Sequence, residues 1–180
     1  MAAQKARRRN QNAPSSLGNR PQVTDDCYYD FGKRIYNGGK RSEFASGNCM
    51  EMAAVSAAIA IDEYHFALEW VYIVLLEQPG DHAFCMLSIR KPTWATPSDM
   101  TTGSSTTAAY VIDPWLNTVC PANEYWDQAQ SRVAKWAREG KRIIWGGPSG
   151  TNLGWYNPGG SYAQSFGASP LTYKLAAAYF

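Results

Sequence analysis

The sequence predicts an α+β domain, and three observations predict it. An Ala-rich segment from Asn48 to about Ile61 carries Met52, Val55 and Ile59 at three- and four-residue spacing, the period of a helix that buries a face. Apolar runs rich in branched and aromatic residues, Phe66 to Leu76, Ala83 to Ile89 and Tyr110 to Ile112, follow it between turn-forming residues. With 180 residues, 45% hydrophobic and 13% aromatic, the chain has the material for a single domain with a sizeable core.

Taken in order, residues 1–24 carry Lys5, Arg7, Arg8 and Arg9 among Asn, Gln, Ser and Pro, with almost nothing large and apolar to bury. They are expected to form a disordered basic leader or linker, as at the edge of a domain cut from a longer polypeptide, with the domain itself at 25–180. From Cys27 to Lys40 the aromatics Tyr28, Tyr29, Phe31 and Tyr36 are interrupted by Gly32 and Gly38-Gly39, which predicts short packed pieces around turns. The helix then starts at Asn48, which with Glu51 forms a capping-box pair and makes Cys49 the first helical residue. Glu63-Tyr64-His65-Phe66 reads as helix flanked by acidic groups, and the second half of Phe66 to Leu76 as a strand. Gln78-Pro79-Gly80 is a turn, and the next strand begins straight after His82.

The Pro-, Ser- and Thr-rich run from Lys91 to Thr107 predicts a long mobile hairpin loop, with Tyr110 to Ile112 returning beside the previous strand until Pro114 stops the ladder. Asn123 to Gly140 reads as a helix whose apolar face holds Tyr125, Trp126, Ala129, Val133, Trp136 and Ala137, with Gly140 closing it. Ile143 to Trp145 is a short strand. Gly146 to Ser169 reads as loops pinned by Trp155, Tyr156, Tyr162 and Phe166, and Leu171 to Phe180 docks as an edge strand or helix.

Composition removes several function classes. The net charge is +2, with much of the basic excess in the first twenty residues, so no nucleic-acid groove is expected. The longest apolar runs, Met52 to Ile61 and Trp70 to Leu76, are too short to span a bilayer, and Met1 to Ala13 lacks the apolar centre of a signal peptide. Four cysteines without CxxC pairing point to a reducing compartment, with one bridge, such as Cys27 to Cys120, left open. Two histidines and four scattered cysteines show no metal-ligand spacing, so neither metal nor cofactor is expected.

The chemistry sits elsewhere. A cysteine at a helix start meets unpaired N–H groups and the positive end of the dipole, which stabilise a thiolate, and Gly47 permits the tight turn that exposes the sulfur. The competing reading is a buried structural cysteine in an Ala-rich core helix. A thiol nucleophile needs an imidazole, and only His65 and His82 exist. His82, with a turn before it and a strand after it, is the better base. For the group that orients the ring, Asp113, Asp81 and Asp62 compete. Asp113 leaves the strand next in order after the His82 strand, and antiparallel pairing of the two would bring them side by side, whereas Asp81 precedes His82 in extended chain and would point to the other face.

Three motifs in this order, Gly47-Asn48-Cys49-x-Glu51-x-Ala53, Asp81-His82-Ala83-Phe84 and Val111-Ile112-Asp113-Pro114-Trp115, resemble the papain-like cysteine hydrolases found among bacterial polymorphic toxins and secreted effectors. The resemblance covers roughly Ser46 to Trp115. It implies a papain-like fold, a helix packed on an antiparallel β-sheet, with Cys49 as nucleophile, His82 as base and Asp113 as orienter. Papain has an oxyanion-stabilising glutamine six residues before its cysteine, and Glu43 stands at that position here, where a carboxylate would repel an oxyanion. The oxyanion hole is therefore expected from the Cys49 backbone N–H, with Asn48, Ser46 or a leader residue as second donor. Trp115 and Trp155 are the candidate substrate-binding residues.

Families of this kind include proteases and protein glutamine or asparagine deamidases, which share a thioester intermediate, and a non-catalytic shell that acts by binding is a further alternative. The long Lys91 to Thr107 loop and the aromatic-studded loops after Gly146 would wall an extended groove, which favours a protease, and the resemblance implies delivery by a specialised secretion system into the cytoplasm of a neighbouring or host cell. Its partners would be a target protein and a cognate immunity protein, and the free chain would be a monomer.

Overall fold

The structure, a computed structural model, describes residues 28–39, 48–102, 108–145, 147 and 154–177. The predicted leader at 1–24, Cys27, Glu43 and Ser46 lie outside the described residues. The domain is mixed α+β, built on a five-stranded antiparallel sheet. In chain order the elements are α1 (Tyr28–Gly39), α2 (Cys49–Asp62), a 3-10 turn (Leu68–Trp70), β1 (Val71–Leu76), β2 (His82–Ser88), α3 (Asp99–Thr102), β3 (Ala109–Asp113) and β4 (Thr118–Pro121). A second 3-10 turn (Ala122–Glu124) leads into α4 (Tyr125–Arg138), β5 (Ile143–Trp145), β6 (Gly154–Tyr156), α5 (Ser161–Ala168) and β7 (Leu171–Leu175).

The sheet runs β4-β3-β2-β1-β7, and β5 with β6 makes a separate two-stranded ribbon. All pairs are antiparallel, with Val74 opposite Phe84, Cys85 opposite Ile112, and Ile112 opposite Val119. Both faces of the sheet are covered, which is why β1 and β2 read as continuous apolar runs rather than alternating ones. Val71, Ile73, Ala83 and Cys85 pack under α1 and α2, while Tyr72, Val74, Phe84, Met86 and Val111 pack under α4 and α5. Phe84 and Trp145 are almost wholly buried, each contributing roughly 2 to 3 kcal/mol of apolar burial.

Several elements differ from the expectations. Tyr28–Gly39 is a twelve-residue helix rather than short pieces around turns. Gly32 is not a breaker but a crossing point, where a Cβ would overlap the Ala54 carbonyl of α2, so the two helices meet backbone to backbone. The α2 helix ends at Asp62, and His65 lies beyond it in the left-handed region (φ 56°), exposed, not inside a helix.

The Lys91–Thr107 run is not a free loop over its described part. Buried Met100 anchors it, Ala95 O accepts from Leu171 N (2.9 Å), and Trp94 O accepts from the Tyr173 hydroxyl (2.9 Å). Gly146 to Ser169, expected as loops, contains β6 and α5, because Tyr162 and Phe166 at i, i+4 supply a buried stripe despite the Gly- and Pro-rich composition. Pro114 does not merely stop a strand. It opens a tight turn, closed by the Asn117 N–H on Pro114 O (3.1 Å) with Asn117 at φ 53°, from which β4 returns. The C-terminal segment is the edge strand β7, paired with β1.

Candidate active site

The N-terminus of α2 carries the first site residue. Asn48 caps the helix: its side-chain oxygen accepts the Glu51 N–H (2.9 Å), and the Glu51 carboxylate accepts the Asn48 N–H (2.8 Å). The reciprocal bonds hold the turn that presents Cys49 and commit the Asn48 oxygen to the cap. Cys49 is a partly exposed free thiol, whereas Cys85 and Cys120 are buried free thiols. Burial pushes the Cys85 thiol up to about 12, and burial followed by the Glu124 and Asp113 charges pushes Cys120 up to about 11, so both are poor nucleophiles. With Cys120 free, the possible bridge to Cys27 is not formed.

His82 opens β2 and Asp113 closes β3. Extending the register by one pair sets Asp113 opposite Phe84, so His82, two residues before Phe84, shares its face. The His82 Nε2–H donates to Asp113 Oδ2 at 2.7 Å, and both side chains are buried, at 1% and 0% exposure. Asp113 collects two further donors. The Tyr125 hydroxyl reaches Oδ2 at 2.8 Å, and the Leu116 backbone N–H reaches Oδ1 at 3.1 Å through an Asx-type turn. A buried carboxylate with three donors is both satisfied and fixed in direction.

Burial by itself would push the His82 imidazole towards the neutral form. The Asp113 carboxylate, by charge and hydrogen bond, outweighs it, and Cys49 adds to the effect, so His82 is raised from 6.5 to about 10. With Nε2 taken by Asp113, Nδ1 is the nitrogen left for the thiol. The Cys49–His82 approach is looser than the His82–Asp113 bond: it strengthens the ring's hold on its proton but is not among the well-aligned hydrogen bonds of the described residues.

Aromatic rings enclose the imidazole. Trp115 lies 5.0 Å from it, Phe166 5.3 Å and Phe84 6.3 Å, and Trp136 stands edge-on to Trp115 at 5.0 Å. Trp115 thus packs over the His82–Asp113 pair and lowers the local dielectric around it. Trp155 stands on β6 opposite Ile144, 55% exposed, with no ring contact to His82 among the described residues. Asp81 is an exposed turn residue at φ 45°. Asp62 is bound to Tyr29 and Lys33 at the far end of α2.

The structure therefore brings Cys49, His82 and Asp113 together from three elements. It adds Tyr125 on the Asp113 carboxylate and Phe166 against the His82 ring, neither of which the sequence placed at the site. Tyr125 left one signal: a tyrosine on the buried face of a helix needs a partner for its hydroxyl. Among the described residues no three His, Cys, Asp or Glu side chains converge as a metal site, and no helix is long and apolar enough to cross a membrane. Comparison with protein-family models, curated proteins and solved structures finds no match for this chain.

Proposed function

We propose that this chain is a papain-like cysteine hydrolase that opens an amide bond in a protein substrate. The observation that carries the reading is the buried His82–Asp113 pair with a partly exposed, helix-start Cys49 against the free side of the ring. An imidazole held by a buried carboxylate on one nitrogen and facing a thiol with the other is the acid a thiol nucleophile needs, whatever the pair also adds to the stability of the fold. In the proposed cycle the Cys49 sulfur attacks the carbonyl carbon, and His82 delivers its proton to the departing nitrogen. A water, deprotonated by His82, then cleaves the thioester. Asp113 keeps the ring aimed and its Nε2 proton in place.

Within this reading the substrate bond is a main-chain peptide bond and the setting is antagonism. The domain acts in the cytoplasm of a recipient cell, and the producer holds an inhibitor protein that blocks the cleft. The support for the setting is the three-motif resemblance. A deamidase would use the same three residues on a side-chain amide.

Mass spectrometry of a bacterial cytosolic extract incubated with the chain, against Cys49→Ala, tests the proposal. Cysteine-dependent new peptide termini are the expected result. Cysteine-dependent Gln-to-Glu or Asn-to-Asp conversion without new termini assigns the deamidase instead. Neither change, in bacterial and then eukaryotic extract, overturns the hydrolase.

A further inference from the structure

The second donor to the oxyanion is not fixed in this site, since Glu43 stands at the papain glutamine position and the cap holds the Asn48 oxygen but not its exposed side-chain N–H groups. One donor is already evident. The capping box and the first helical bond occupy the N–H groups of Asn48, Glu51 and Met52, which leaves the Cys49 N–H unused by the helix itself.

Tyr162 is the residue whose surroundings fit the other. It lies on α5, one turn before Phe166, whose ring faces His82. Its own ring is wedged against Trp145 at 5.4 Å and Phe166 at 6.0 Å, so its direction is fixed by packing. The side chain is only 2% exposed, yet among the described residues its hydroxyl has no hydrogen-bond partner. No fully buried polar side-chain atom among them is left unpaired, so the hydroxyl oxygen of this otherwise buried side chain keeps a small solvent-accessible tip. Through Phe166, which touches both rings, Tyr162 stands one side chain away from the His82 imidazole, and Cys49, Asp113 and Asp81 are the charges that act on its hydroxyl.

We propose that the Tyr162 hydroxyl, together with the Cys49 backbone N–H, forms the oxyanion hole of this site. The inference rests on the hydrolase reading above. Burial, then the Cys49 and Asp113 charges, keep the phenol protonated and therefore a donor. A fixed donor with no ground-state partner costs no reorganisation when charge develops, which is the condition under which such a group accelerates acyl transfer.

The step can be isolated with an activated ester. When Cys49 attacks p-nitrophenyl acetate, an S–C bond forms and the carbonyl π pair moves onto oxygen, where Tyr162 and the Cys49 N–H receive it. The carbonyl then re-forms, nitrophenolate leaves with the electron pair of the broken C–O bond, and the thiol proton remains on His82. Alkylation by iodoacetamide uses the same sulfur but develops no oxyanion.

In Tyr162→Phe, the rate of nitrophenolate release should fall by about 10²-fold, as expected for one oxyanion donor, while alkylation of Cys49 stays within about twofold of wild type. Acylation unchanged by Tyr162→Phe overturns the oxyanion assignment and leaves the hydrolase standing. A parallel fall of both rates also overturns it, because Tyr162 would then only support the nucleophile's position. Wild-type Cys49 that alkylates but is never acylated overturns the hydrolase, and this inference with it.

Discussion

Replacing Asp113 by Asn should invert the way pH acts on the stability of the fold. In the native site burial disfavours a charged His82, yet the Asp113 carboxylate 2.7 Å away outweighs burial and holds the imidazole at about 10 instead of 6.5. That interval corresponds to roughly 4 to 5 kcal/mol of folding free energy linked to one proton, a large share of the roughly 5 to 15 kcal/mol that holds a typical domain together. The folded value lies above the unfolded one. The contribution is therefore fully present below pH 6.5 and is lost as pH rises from 6.5 through about 10.

Asp113→Asn removes the charge and keeps the burial. The imidazole should then stay neutral in the folded state, with its value below 6.5, so that the variant loses stability as pH falls instead of as it rises. Urea midpoints of the full chain between about pH 5 and about pH 9 read the slope. Because the sequence holds only two histidines, 15N-histidine NMR reads the His82 proton directly, with exposed His65 as the reference. Hydrolysis should fall by about 10³- to 10⁴-fold, because an amide N–H facing Nε2 forces the wrong tautomer. A variant whose urea midpoints follow the wild type at every pH, with His82 still protonated near neutrality, would refute the claim that this carboxylate holds the imidazolium.

Further outcomes follow from the same geometry. His82→Ala should abolish turnover while His65→Ala keeps most of it, since His65 is exposed beyond the end of α2; kinetics on the substrate found by proteomics decide between them, and the reverse pattern moves the base. Iodoacetamide at neutral pH should label Cys49 well ahead of Cys85 and Cys120, whose thiols are buried and pushed up to about 12 and about 11. Peptide-resolved mass spectrometry measures this, and equal labelling removes the case for an activated sulfur. Gly32→Ala should cost about 1 to 3 kcal/mol, because its Cβ would overlap the Ala54 carbonyl where α1 crosses α2; a urea midpoint equal to wild type would mean the helices separate freely.

Local structure was legible in the residues alone. The α2 helix, its capping box and the placement of Cys49 as first helical residue follow from Asn48, Glu51 and the apolar spacing within fourteen residues, because capping and helical periodicity involve neighbours along the chain. The same holds for β1, β2 and α4, whose long apolar patterns name their own period. The choice of His82 was readable because only two histidines exist.

Tertiary structure alone decided the rest. Whether Asp113 shares a face with His82 depends on the β2–β3 register, and a slip of one residue would turn every side chain of β3 to the other face. Tyr125 reaches Asp113 only because α4 packs its buried face on that end of the sheet, and Phe166 faces the His82 ring only because α5 packs back against Trp145 through Tyr162. Gly32 looks like a breaker in the sequence and is a contact in the fold. A glycine reports permission for backbone freedom or for close approach, and only the neighbouring helix says which of the two is used.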